Sequence, residues 1–187
     1  MRNRLEASFN YELPVGAGKH FLSQPGVART LLGGWVVAGI LTDQTGFPMT
    51  VTTNDNANVG NTNRPFLVGN PNPANRTVSA WIPKSAFAQN SNGATGNCQA
   101  FTGQPYCFGN AGRGIVTSPA LNDFDLSLIR DFRITERWSG EFHADTFDLF
   151  NHPNFGFPNL NFSAGTFGII TSANAPREIQ LGLKIRF

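Results

Sequence analysis

Hydrophobic and polar positions alternate without a break through the stretch 177–187. Ile179, Leu181, Leu183, Ile185 and Phe187 fall on one side, and Gln180, Gly182, Lys184 and Arg186 on the other. A period of two predicts an extended strand with one apolar face. The same pattern runs from Leu5 to Leu13, where Leu5, Ala7, Phe9, Tyr11 and Leu13 oppose Glu6, Ser8, Asn10 and Glu12. A third segment, Trp35 to Thr45, carries Trp35, Val37, Gly39 and Leu41 on one side. Its other side, Val36, Ala38 and Ile40, is also apolar, so alternation does not select its buried face. From Phe124 to Ile134, Phe124, Leu126, Leu128, Phe132 and Ile134 share a face that only Arg130 interrupts. From Trp138 to Phe150, Trp138, Gly140, Phe142 and Ala144 oppose Ser139, Glu141, His143 and Asp145. The phase slips near Phe147, which predicts a bulge.

These lengths match transmembrane β-strands of about 9–11 residues. An apolar outer face over a polar inner one is the pattern of a membrane barrel, although a half-buried soluble sheet has the same period. The connections separate the two. Residues 135–137 form a tight turn and 14–34 a moderate link, whereas 46–123 and 151–176 are long. With Phe187 on the periplasmic side, both long connections fall outside and both short ones inside, as in outer-membrane barrels. The predicted fold is therefore all-β: an antiparallel meander of about five transmembrane-type strands, with 46–123 and 151–176 as extracellular loops. Thr50–Thr53 is expected to prolong the second strand above the membrane. The aromatics of Trp81–Phe87 and Phe108–Gly114 predict a folded loop, since disordered segments are poor in such residues.

Composition sharpens this picture. Charged residues are 14% of the chain, against about 25% in soluble domains. The 17 Phe, 20 Gly and 12 Pro suit apolar strands joined by polar loops and disfavour a helical protein. A net charge of +2, carried by scattered rather than clustered cations, predicts no nucleic-acid partner. No apolar run of about 18 residues is present, hence no transmembrane helix. Met1–Ser8 has a basic start but no hydrophobic core segment, so it does not read as a signal peptide. For a barrel protein the expectation is then that an N-terminal part is missing.

Cys98 and Cys107 lie in a Gly-, Asn- and Pro-rich stretch. A local disulfide in an oxidising compartment is the first reading and two free thiols the alternative. Without paired CxxC motifs they make no case for zinc. His20, His143 and His152 form no HExxH pair. Glu141, His143 and Asp145 alternate along one strand and project together, as a lumen-facing polar cluster. A hydrogen-bonded lining is the plainer reading and a metal or proton site the bolder one. Gly109–Gly114 follows a loop rather than a strand, which favours a tight turn over a phosphate cradle. Asp123, Asp125, Asp131, Asp145 and Asp148 lack calcium-loop spacing. Asn75–Thr77 matches a glycosylation sequon, which says little for a bacterial-type surface protein. With no catalytic constellation, the chain is expected to be no enzyme and to need no cofactor or metal.

Several segments carry a resemblance. Tyr11–Lys19, Leu32–Trp35, Gly46–Val51, Phe108–Arg113, Phe147–Phe155 and Arg177–Phe187, in this order, resemble the C-terminal end of Oar-like TonB-dependent outer-membrane receptors. The resemblance spans nearly the whole chain. It implies membership of a 22-stranded barrel filled by an N-terminal plug, often preceded by a carboxypeptidase-regulatory-like domain. It implies ligand uptake across a Gram-negative-type outer membrane, driven by the TonB system through the plug. It further implies that Leu181, Leu183, Ile185 and Phe187 carry the signal read by the barrel-assembly machinery. Outer-membrane lipid and an unidentified imported ligand complete the implied partners. Plug, TonB box and signal peptide have no counterpart in 1–187. Five strands cannot close around a lumen, and open edges are costly in lipid. The expectation is therefore that 1–187 is the C-terminal part of such a barrel. A soluble, secreted, carbohydrate-binding β-sandwich with Trp35, Trp81 and Trp138 as stacking platforms, and a surface adhesin, are the competing readings.

Overall fold

A computed structural model describes residues 2–54, 63–91 and 96–187. The chain divides into two compact units. One comprises Asn3–Gln44, Leu121–Pro153 and Ala175–Phe187, and the other is built chiefly from Thr45–Ala120 and Asn154–Asn174.

The first unit is a five-stranded antiparallel sheet. Its strands are β1 (Arg4–Glu12), β2 (Trp35–Gln44), β7 (Leu121–Arg133), β8 (Ser139–Phe147) and β9 (Glu178–Arg186), in the order β1-β2-β7-β8-β9. Each strand therefore pairs with the next sheet strand in the chain, which is a meander. Strand lengths run from 9 to 13 residues. A short helix, α1 (Val27–Leu32), interrupts the β1–β2 connection. The β7–β8 turn is closed by the Ile134 and Thr135 amides donating to the Trp138 carbonyl.

Register settles the face that alternation leaves open in β2. Val37 stands opposite Tyr11 and Leu128, and Leu41 opposite Ala7 and Phe124. Trp35, Val37, Gly39 and Leu41 thus continue the apolar face of their neighbours. Val36, Ala38 and Ile40 lie on the face with Glu12, Asn10 and Ser8. The C-terminal end of β2 at Gln44 pairs with the first residue of β7, Leu121, and of β1, Arg4. Phe147 at the end of β8 pairs with Glu178 at the start of β9. Both long excursions therefore leave and re-enter at one end of the sheet, and both short links close the other.

No bulge occurs at Phe147. The β8–β9 register is continuous from Ser139↔Arg186 to Phe147↔Glu178, and the phase slip marks the point where the strand stops. Asp148 and Asn151 adopt left-handed φ of 49° and 52°. That conformation is tolerated by Asn and Asp because their short side chains bond locally. The Asp148 amide donates to Asp125 Oδ1, and Asp148 Oδ1 accepts from the His152 amide.

The second unit carries β3 (Pro48–Met49), β4 (Phe66–Leu67), β5 (Phe87–Ala88), α2 (Asn97–Thr102) and β6 (Val116–Thr117), with β3 paired to β6 and β4 to β5. Its core gathers Met49, Val51, Ile82, Phe87, Ala111, Val116, Phe162 and Phe167 from both excursions. The Phe87 ring sits 5.7 Å from Phe167 and 6.2 Å from Phe162. Thr50–Thr53 does not prolong β2, which ends at Gln44. Met49 and Val51, two apart, both turn into this core, while Thr52 and Thr53 make single bridges to Asn161 and Asn63. The alternation there is real, but it serves the core of the second unit. Arg76 cross-links that unit by donating to the Thr117 and Pro73 carbonyls and to Asn72 Oδ1. Burial pushes its guanidinium below the ordinary arginine range, and it stays charged at neutral pH.

Candidate membrane-facing surface

Carried through all five strands, the register assembles one continuous apolar face. Row by row across the sheet it runs Phe9, Gly39, Leu126, Thr146 and Ile179; Tyr11, Val37, Leu128, Ala144 and Leu181; and Trp35, Arg130, Phe142 and Leu183, with Thr146 and Arg130 the polar members of these rows. The opposite face carries Glu6, Ser8, Asn10, Asp125, Ser127, Asp145, Gln180 and Lys184. The apolar face is uncovered. Phe9 is 47% exposed, Leu181 71% and Phe187 91%. A contiguous apolar surface of this extent marks contact with lipid or a partner.

Cross-strand aromatic packing makes the surface smooth. The Phe9 ring lies over Gly39 and the Phe132 ring over Gly140. A Cβ at either glycine would fall 2.4–2.7 Å from ring carbons. Glycine under an aromatic is how a sheet accommodates a large side chain directly across the ladder. Aromatics gather at the end closed by the short links. There Trp35 meets Phe142 edge-on at 6.0 Å, and Trp138 lies 5.4 Å from Phe187. Aromatic girdles of this kind flank the apolar band of membrane barrels. Arg130, the one charge that interrupts the apolar stripe of β7, sits at this end. Its guanidinium lies 5.5 Å over the Trp35 ring and donates to the Thr30 carbonyl. Sequence reasoning treated it as an exception. The register puts it in the girdle row itself, directly between Trp35 and Phe142, and no local pattern in the sequence shows that pairing.

Leu181, Leu183 and Ile185 lie along the apolar side of β9 and Phe187 follows its last residue, all exposed. Glu141 and His143 meet on the polar side of β8 through a 2.6 Å contact between His143 Nε2 and Glu141 Oε1, and Arg186 of β9 pairs with the other Glu141 oxygen. Asp145 stands one step along the strand, opposite Ser127 and Gln180. No group able to hold a metal is present among the described residues. The arrangement is an ion-paired lining that ties β8 to β9. Cys98 and Cys107 are joined by a disulfide with their Cα atoms 5.4 Å apart. Gly109–Gly114 is a packed turn of the second unit. There Ala111 is fully buried and Asn110 Oδ1 accepts from the Leu67 amide. Trp81 is no free platform, because Arg76 covers one face of its ring at 5.3 Å and its indole N–H donates to the Thr117 carbonyl. No helix is long and apolar enough to cross a membrane among the described residues.

Comparison with known families agrees with this surface. Residues 1–180 match the outer membrane beta barrel domain. The chain belongs to that family. Its five strands form a sector of such a sheet rather than a closed barrel, and the family points to the outer membrane as its location. No curated protein and no solved structure matches the sequence.

Proposed function

We propose that this outer membrane beta barrel domain is the C-terminal sector of a TonB-dependent receptor of the Oar-like kind, which takes up a ligand across the outer membrane. The observation that carries this reading is the uncovered apolar face, continuous over five strands, together with the open edges of β1 and β9. In hydrocarbon every edge N–H and C=O needs a partner, so both edges call for further strands. A barrel of 22 strands filled by a plug would supply them. The two long excursions leave the sheet at one end, in keeping with extracellular loops, and the second unit is then the folded part of those loops. The role is non-enzymatic: a lipid-facing wall outside, a polar wall inside, and energy delivered by TonB through the plug. On this reading β9, with Leu181, Leu183, Ile185 and Phe187, is the strand read by the barrel-assembly machinery.

The test is deletion of the full gene in the host bacterium, followed by growth on candidate scarce nutrients with and without an intact TonB. Loss of growth on one nutrient when the gene is deleted with TonB intact, reproduced by loss of TonB with the gene intact, supports the transporter; loss on gene deletion alone overturns the TonB-dependent reading. A deletion that impairs only attachment to surfaces or cells supports an adhesin instead.

A further inference from the structure

The β1–β2 connection is a folded element rather than a plain turn. Its two halves touch backbone to backbone, since a Cβ on Gly33 would fall 2.9 Å from the Gly16 Cα. The Gly34 amide also donates to the Val15 carbonyl. These contacts hold α1 against the end of the sheet, and two side chains of the girdle row fasten its last turn. Trp35 Nε1 donates to the Leu31 carbonyl at 3.2 Å, and the Arg130 guanidinium donates to the Thr30 carbonyl. The helix therefore adjoins the apolar face at its aromatic girdle.

The helix is itself two-sided. At about 100° per residue, Arg29 and Thr30 point one way, and Val27, Ala28, Leu31 and Leu32 share the opposite arc. Arg29 and Thr30 line a concavity together with Glu12, Lys19, Asp131 and Arg133, whose strand members belong to the polar side of the sheet. The apolar arc turns away from that concavity. Val27 is 76% exposed, Leu31 59% and Leu32 56%. Three large aliphatics on so short an element, beside a larger apolar surface, extend that surface.

From this continuity we infer that α1 is an interfacial foot. Val27, Leu31 and Leu32 enter the boundary between headgroups and acyl chains of the periplasmic leaflet, while Arg29 stays on the watery side. A helix with aliphatics on one arc and a cation on the other suits that boundary, and a row of aromatics marks the same depth. A plug inside a barrel would lie on the polar side, where Arg29 faces, and would leave the apolar arc uncovered. The inference rests on the membrane reading of the apolar face.

The test places a nitroxide spin label, one position at a time, at Val27→Cys, Leu31→Cys, Arg29→Cys and Leu181→Cys of the parent outer-membrane protein in phosphatidylcholine vesicles. Cys98 and Cys107 are bonded to each other and take up no label, and any other cysteine is replaced by serine. Power saturation compares collisions with oxygen, which concentrates in hydrocarbon, and with a water-soluble nickel chelate. Leu181→Cys calibrates the apolar face. The expected result is that oxygen outweighs the chelate at 27, 31 and 181, and that the order reverses at 29. Val27 and Leu31 are both exposed, so neither label removes a packed side chain, and each position checks the other. If the chelate outweighs oxygen at 27 and 31 but not at 181, the foot is overturned and the membrane reading stands. If the chelate prevails at 181 as well, the membrane reading falls and the foot with it. Few collisions with either reagent at 27 and 31 would reveal a protein cover, a plug or a neighbouring strand, and overturn the lipid assignment. Oxygen prevailing at 29 too would overturn the two-sided orientation of the helix.

Discussion

Placing a charge at the centre of the apolar face, Leu128→Arg, tests which solvent that face meets. On β7 the apolar row runs from Phe124 to Phe132 with Leu128 at its middle. Eight steps at about 3.4 Å each make roughly 27 Å along the strand, or roughly 20 Å of height at the usual tilt. That is close to the apolar band of an outer-membrane barrel, about 25 Å tall, and puts Leu128 near the bilayer midplane. An arginine there should cost about 2–4 kcal/mol, whereas one near the interface should cost about 0–1 kcal/mol. Ile134→Arg, in the short turn, provides the interfacial case. Ser127→Arg changes the adjacent residue, which faces the polar side opposite Ala38 and Asp145. The assay is urea unfolding of the parent outer-membrane protein from lipid vesicles, with the three variants compared at equal lipid. The expected order of destabilisation is Leu128→Arg well above Ser127→Arg and Ile134→Arg. If Leu128→Arg unfolds with the same midpoint and slope as Ile134→Arg, the apolar face meets water, and the membrane assignment is wrong.

Gly140→Val should cost about 1–3 kcal/mol by forcing the Phe132 ring off the ladder, since the new Cβ would lie 2.4 Å from that ring. The double variant with Phe132→Ala should recover part of this in a double-mutant cycle of unfolding free energies. Phe87→Ala empties the centre of the second unit's core and should destabilise that unit by about 3–5 kcal/mol. Limited proteolysis should then cut within 45–120 before it cuts the strands of the sheet. Reducing the Cys98–Cys107 bridge should loosen only its own loop, by about 2–3 kcal/mol for so short a ring. Non-reducing mass spectrometry should recover the two peptides linked, and finding both thiols free in envelope-derived protein would count against the bridge.

The five strands were legible because a sheet between two different solvents writes a period of two into its sequence, most plainly at 177–187 and 5–13. The order of long and short connections added the meander. Alternation fails where both sides of a strand are apolar, as in β2. There the pairing of Val37 with Tyr11 and Leu128 chose the face. It also fails at a strand end. A change of phase at Phe147 looks the same in sequence whether the ladder bulges or stops, and the left-handed Asp148 shows that it stops.

The sequence by itself determined that the chain is a sheet protein with one apolar face, because local period and side-chain polarity need no partner to be read. Only the tertiary structure decided what non-local pairing creates. It drew Met49, Val51 and Phe87 together with Phe162 and Phe167 into a second core. It set Glu141 between His143 and Arg186. It turned Arg130 from an interruption in a stripe into a cation stacked on Trp35. Such contacts join residues far apart in the chain, and no local pattern constrains which of them meet.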